Sequence, residues 1–197
     1  KVTSEIIRCI EDNLGSGQWG EVTEKAKTTL VPPVTTKEKR ILIEREDALQ
    51  SSLKMGCFVM DRHHPDFLKA RVMVTLFGGY FGSRLMSNIR EDKGYTYGIG
   101  AGIVSYPGTG ILTVSTEAAN EYVDSIITEV YREMDKLCND LVPQEELEMV
   151  KNYMLGDLCR SYEGPFSLSD AWIYLETAVL DERFFIRSLD AIRGITR

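Results

Sequence analysis

The sequence predicts an α+β domain in which a largely antiparallel sheet is covered on one face by helices. Three observations predict it. Residues Tyr95–Glu117 alternate apolar with polar or tiny side chains around a Pro107-Gly108-Thr109 turn, the pattern of a hairpin. Tyr122, Val123, Ile126, Ile127, Val130, Tyr131, Met134 and Leu137 form a stripe at the 3.6-residue period of a helix. The order along the chain is strands, helices, strands, then helices, which segregates the helices to one side of a sheet. A length of 197 residues suits one domain with a short appendage. A chain of that length can bury a core without metal or disulfide staples.

Lys1–Asn13 carries Ile6, Ile7 and Ile10 at helical spacing, and the Gly15–Gly20 stretch ends this short helix. Lys25–Lys39, with Pro32, Pro33 and several Thr and Lys, reads as an extended linker. Arg40–Glu46 and Ser52–Met60 alternate and are predicted as two strands, with Glu46–Ala48 in the turn between them. His64-Pro65-Asp66 starts a helix, because Pro suits the first turn and Asp suits the positive end of the helix dipole. Leu68, Val72 and Leu76 give that helix its apolar face, and Gly78-Gly79 ends it. A second helix is predicted over Ser83–Asp92, with Leu85, Met86 and Ile89 inward and Gly94 as the stop. The hairpin follows. Asn120 is predicted to cap the striped helix. Pro143 opens the next helix, with Gln144, Glu145 and Glu146 in its first turn and Leu147, Val150, Met154 and Leu158 on its buried side. Gly164-Pro165 breaks it. Two short helices complete the chain, around Leu168–Val179 and Glu182–Ile192.

The net charge of −7 disfavours nucleic-acid and anionic-membrane partners, which need clustered cations. Gly94–Thr116 is uncharged and long enough to span a bilayer. Its six glycines, Pro107 and period of two make it strands instead. Cys9, Cys57, Cys138 and Cys159 show no C-x-x-C spacing, so zinc-ribbon and thioredoxin-type readings fail. Scattered thiols suit a reducing compartment, which leans toward the cytoplasm and leaves the periplasm open.

The two histidines, His63 and His64, are adjacent, and adjacent side chains diverge on any regular element. A zinc helix needs His at i and i+4, as in H-E-x-x-H or H-x-x-E-H, and neither pattern is present. His63 is therefore expected in a loop and His64 near a helix N-cap. No G-x-S-x-G exists. The glycine-rich Leu76–Ser83 run lacks the G-K-[ST] of a phosphate loop. Two features stand out. Gly98, Gly100 and Gly102 share one face of a strand, which they weaken. Either another backbone, such as an extended peptide, approaches there, or a helix packs tightly over them. Arg90 ends an apolar helical stripe, and its planar fork of donors suits carbonyl and carboxylate oxygens. The alternative is a surface arginine paired with Glu91 or Asp92.

Leu76–Gly102, reading LFGGYFGSRLMSNIREDKGYTYGIGAG, closely resembles the signature of the second, non-catalytic half of pitrilysin/insulinase-family zinc peptidases. That family includes the mitochondrial processing peptidases and many bacterial processing proteases. The segment from His64-Pro65-Asp66 and the segment Val142–Leu147 through Asn152-Tyr153-Met154 extend the resemblance over most of the chain. It implies one half of the processing-peptidase/LuxS-like metallohydrolase fold. Residues 1–36 resemble the tail of a preceding half and a linker; 37–197 resemble the C-terminal domain, truncated at its end. The implied function is the substrate-binding, chamber-closing half of a zinc-dependent endopeptidase. Its zinc would be bound by the missing half, in the same chain or a partner subunit, so the fragment alone is expected to be inactive and metal-free. The resemblance assigns peptide binding to Arg90 and Tyr97. A non-catalytic structural subunit of a heterodimer or complex is the alternative. An uncovered interface on such a fragment would favour self-association.

Overall fold

The computed structural model describes residues 2–15 and 37–197. The chain forms two compact units, residues 1–32 and 33–197. The predicted linker from Lys25 to residue 36 lies outside the described residues.

In the first unit, α1 spans Ser4–Leu14. The Thr3 hydroxyl accepts from the Ile6 N–H at 3.4 Å. Gly15 ends the helix by donating to the Glu11 carbonyl at 2.8 Å. These contacts satisfy backbone groups that a helix leaves open at each end. The apolar Ile6, Ile7 and Ile10 stay about half exposed.

In the second unit, strands β1 (Gln50–Val59), β2 (Thr96–Tyr106) and β3 (Thr109–Ala119) form one sheet in the order β1-β3-β2, antiparallel throughout. Gly108, at φ +79°, turns β2 into β3. Met55 faces Val114 across β1–β3, and Ala101 faces the same Val114 across β2–β3. This register puts Leu53, Met55, Ile99, Ala101, Val114 and Ala118 on one side. There they pack against Phe77, Leu85, Ile89, Ile126 and Val130. Leu85, Ile89, Ile126 and Val130 are wholly buried. Each such side chain contributes about 1.5–3 kcal/mol, and a one-residue slip would turn the whole set outward.

The covering helices are α2 (Phe67–Val74), α3 (Val123–Asn139), α4 (Gln144–Arg160), α5 (Pro165–Ala178) and α6 (Arg183–Gly194). Val72 and Leu76 meet Leu147, Val150 and Met154 of α4 and Ile192 of α6 in a second core. Two π-helical turns, Thr75–Gly79 and Met86–Asp92, lie between α2 and β2. The first brings Gly78 against β2: a Cβ there would fall 2.6 Å from the Ala101 Cβ and 2.8 Å from its backbone nitrogen. Gly78→Ala is therefore expected to destabilise the domain by roughly 1–3 kcal/mol, read as a lower urea midpoint at unchanged slope.

Three expectations are corrected. Arg40–Glu46 is not a strand. β1 pairs with β3 alone, so this segment has no ladder among the described residues. Ile41, Leu42 and Ile43 are at least 70% exposed. Alternation describes a strand's faces but does not supply its partner. Asn120 does not cap α3, which follows a 3-10 turn over Asn120–Tyr122. Its side chain instead accepts from the Ser51 hydroxyl and donates to the Ala48 carbonyl, fixing the start of β1. Tyr131 is exposed, and Glu129 and Glu133 take the buried positions beside the α3 stripe.

Candidate functional site

Arg90 lies in the last turn of the Met86–Asp92 segment. Gly94 follows at φ +66°, a conformation that favours glycine. Its N–H donates to the Arg90 carbonyl, and Tyr95 N–H donates to the Ile89 carbonyl, both at 3.1 Å. The chain thus reverses into β2 and brings Tyr97 back beside Arg90. The Arg90 Nε donates to the Tyr97 carbonyl at 2.9 Å. The guanidinium carbon sits 4.7 Å from the centre of the Phe81 ring. Glu91 is 3.8 Å from Nη1, at the edge of ion-pair range.

β2 carries a bulge at this point. Thr96 faces Ala118 and Ile99 faces Thr116, so Tyr97 and Gly98 together oppose Glu117. The buried Thr96 hydroxyl donates to the Glu117 carbonyl at 2.6 Å and accepts from the Gly98 N–H. The Thr116 hydroxyl donates to the Gly98 carbonyl at 2.8 Å. These bonds replace the interrupted ladder and throw the Tyr97 side chain outward, 93% exposed. Among the described residues its phenol has no partner.

Among the described residues, a Cβ on Gly98 or Gly102 would meet no atom within 4 Å, and one on Gly100 would only touch the Gly78 carbonyl at 3.7 Å. Among the described residues, no helix packs tightly over these strand glycines. A close approach to β2 that requires glycine occurs at Gly78, across from Ala101. Lys54, Ser115 and Glu117, which share the sheet face turned away from the core, are exposed beside Tyr97.

A polar network missed by the sequence reading anchors this region. The Asn88 amide donates to Glu129 at 3.0 Å and to Glu133 at 2.7 Å, tying the Arg90-bearing turn to α3. Burial alone would raise the Glu129 pKa. The Asn88 hydrogen bond and the charges of Lys93 and Arg132 overcome it and hold the carboxyl below its usual range. Arg84 makes a two-pronged ion pair with Glu146, at 2.7 and 2.8 Å, fixing the preceding loop to α4.

The described residues offer no zinc set. No three His, Cys, Asp or Glu side chains among them converge. His64 Nδ1 accepts from the Asp66 N–H, while His63 lies beside Asp61 and the Val179 carbonyl. All four cysteines are free and exposed. No helix among the described residues is long and apolar enough to cross a membrane; Gly94–Thr116 is the hairpin region.

The peptidase M16 inactive domain matches residues 2–154. "Uncharacterized zinc protease YmxG" of Bacillus subtilis is 28% identical over 146 residues, covering 74% of this chain and 35% of that protein. A Rickettsia felis protein also named a zinc protease is 26% identical over 95 residues, 48% of this chain and 23% of its own length. The chain thus spans about a third or less of these curated relatives. Among solved structures, a protease from Helicobacter pylori aligns over 99% of this chain and 48% of its own, with TM-score 0.79 and 14% identity. The peptidase M16 inactive domain from Pseudomonas fluorescens aligns over 75% of this chain and 35% of its own, with TM-score 0.68 and 22% identity. At these identities the structural likeness speaks for the fold alone.

Proposed function

Because the chain belongs to the peptidase M16 inactive-domain family, we propose that it is the substrate-binding half that closes the chamber of a zinc endopeptidase. The observation that carries this reading is the pairing of Arg90 with Tyr97. A two-pronged donor and an outward phenol stand side by side, next to a glycine-bearing strand open to solvent. With Nε engaged by the Tyr97 carbonyl, the Arg90 Nη atoms are the donors that would hold carbonyls of an extended peptide. The Tyr97 hydroxyl would donate to the oxygen on which negative charge develops as the peptide bond is attacked. Gly98, Gly100 and Gly102 would let the peptide backbone approach β2 closely.

Zinc and the general base would come from a catalytic half, on the same polypeptide or a partner chain; the metal supplies an activated water and polarises the scissile carbonyl. Residues 1–36 would be the tail of that half and its linker, and 37–197 the domain proper. Dialysed against trace zinc, the 197-residue chain is expected to retain almost none and to cleave no peptide. The complete enzyme is expected to hold close to one zinc per catalytic site. Stoichiometric zinc on the isolated chain, or cleavage by it, contradicts this division of labour.

A further inference from the structure

We propose that Phe81 is a positioning residue for Arg90: its ring fixes the guanidinium plane so that the Nη donors face the peptide. This rests on the reading of Arg90 given above. Phe81 is 62% exposed and belongs to none of the three hydrophobic clusters, so core packing does not explain it. Its position is nonetheless fixed from both sides. Tyr80 stacks on Tyr153 with ring centres 4.7 Å apart. The Ser83 N–H closes the turn onto the Tyr80 carbonyl at 3.1 Å. Gly82 is pressed close to the Tyr80 ring, where a Cβ would fall 2.9 Å from Cε2. Arg84 is clamped to Glu146. The Phe81 ring therefore stands at the apex of an anchored turn.

Arg90 touches this apex at one place and β2 at another. The guanidinium carbon lies 4.7 Å from the ring centre, within the range of a cation–π attraction. Nε is held by the Tyr97 carbonyl. An arginine has one Nε–H and four Nη–H donors. A ring beneath the plane and an acceptor on Nε together define the plane's orientation and leave the Nη edge for another acceptor. The same contacts reduce the side-chain freedom that Arg90 would lose on binding a peptide.

The test uses two aromatic-site variants in the complete enzyme. Phe81→Leu keeps an apolar side chain but removes the π face; Phe81→Trp keeps it. Phe81→Leu is expected to lower kcat/KM about 3- to 30-fold, the range of a surface to a desolvated cation–π contact, with unchanged zinc content and Tm. Phe81→Trp should remain within about 2-fold of the parent enzyme. In an Arg90→Ala background, Phe81→Leu should cause no further loss, because it acts through Arg90. Losses that add, or a Phe81→Leu enzyme indistinguishable from the parent where Arg90→Ala is impaired, overturn the proposal. A second readout is independent of catalysis. In the 197-residue chain, the Arg90 Nε–H NMR resonance should be displaced by the ring and protected from exchange. Phe81→Leu should remove the ring's share of that displacement and weaken the protection, leaving the part due to the Tyr97 carbonyl. A resonance that Phe81→Leu leaves unmoved overturns the proposal whatever the kinetics show. If the resonance moves but Arg90→Ala does not alter catalysis, the peptide-binding reading of Arg90 fails while its orientation by Phe81 stands.

Discussion

In the complete enzyme, Tyr97→Phe is expected to lower kcat by about 100-fold or more with little change in KM, the scale of losing one donor to a developing oxyanion. The substitution removes a single oxygen. Tyr97 is 93% exposed and its phenol has no partner among the described residues, so removing the hydroxyl should not disturb this domain's packing. An unchanged Tm beside a large kinetic loss would place the effect in the transition state. Equal falls in kcat and kcat/KM identify a contact made only there, whereas a rise in KM alone identifies uniform binding. A kcat unaffected by Tyr97→Phe would remove the phenol from the reacting centre.

Arg90→Ala is expected to lower kcat/KM by roughly 10-fold or more. Two losses combine. The Nη donors disappear from the peptide, and the Tyr97 carbonyl loses the Nε–H that steadies the bulge. Arg90→Lys should be nearly as damaging. An ammonium is a point charge without a planar fork, and it cannot hold the Tyr97 carbonyl while offering a second, oriented pair of donors. Steady-state kinetics of both variants provide the check. Parent-like values for Arg90→Ala would assign the residue a purely structural role in the turn.

The parts of the fold visible in the sequence are those with local causes. The hairpin is set by alternation around Pro107-Gly108, and α3 by the spacing of Ile126 and Val130. The antiparallel sheet covered on one face by helices follows from these elements and their order. Features determined by distant partners were not legible. Arg40–Glu46 has the alternation of a strand but no neighbouring ladder. Asn120 looked like a cap, yet its amide serves Ser51 and Ala48 some 70 residues away. Glu129 and Glu133 lie outside the apolar stripe of α3. Their burial depends on Asn88, 41 and 45 positions distant.

The candidate site divides in the same way. Arg90 and Tyr97 were marked by their place in a long signature, and the structure brings them together through Gly94 and the β2 bulge. The bulge itself was hidden, because two Thr hydroxyls rather than a special residue at Tyr97 sustain it. Gly78 reads as a helix stop in the sequence, although a Cβ there would also meet the β2 backbone at Ala101. Phe81 carried no periodic signal; its place in a glycine-flanked turn outside every apolar stripe was the available clue.

The most direct measurement is the structure of the zinc-depleted complete enzyme with a bound peptide substrate. A substrate-binding role for this domain predicts peptide carbonyls at hydrogen-bond distance from the Arg90 Nη atoms. It also predicts the Tyr97 hydroxyl beside the scissile carbonyl oxygen and the peptide backbone passing over Gly98 and Gly100. A peptide held entirely by the catalytic half, with Arg90 and Tyr97 still facing solvent, would contradict it.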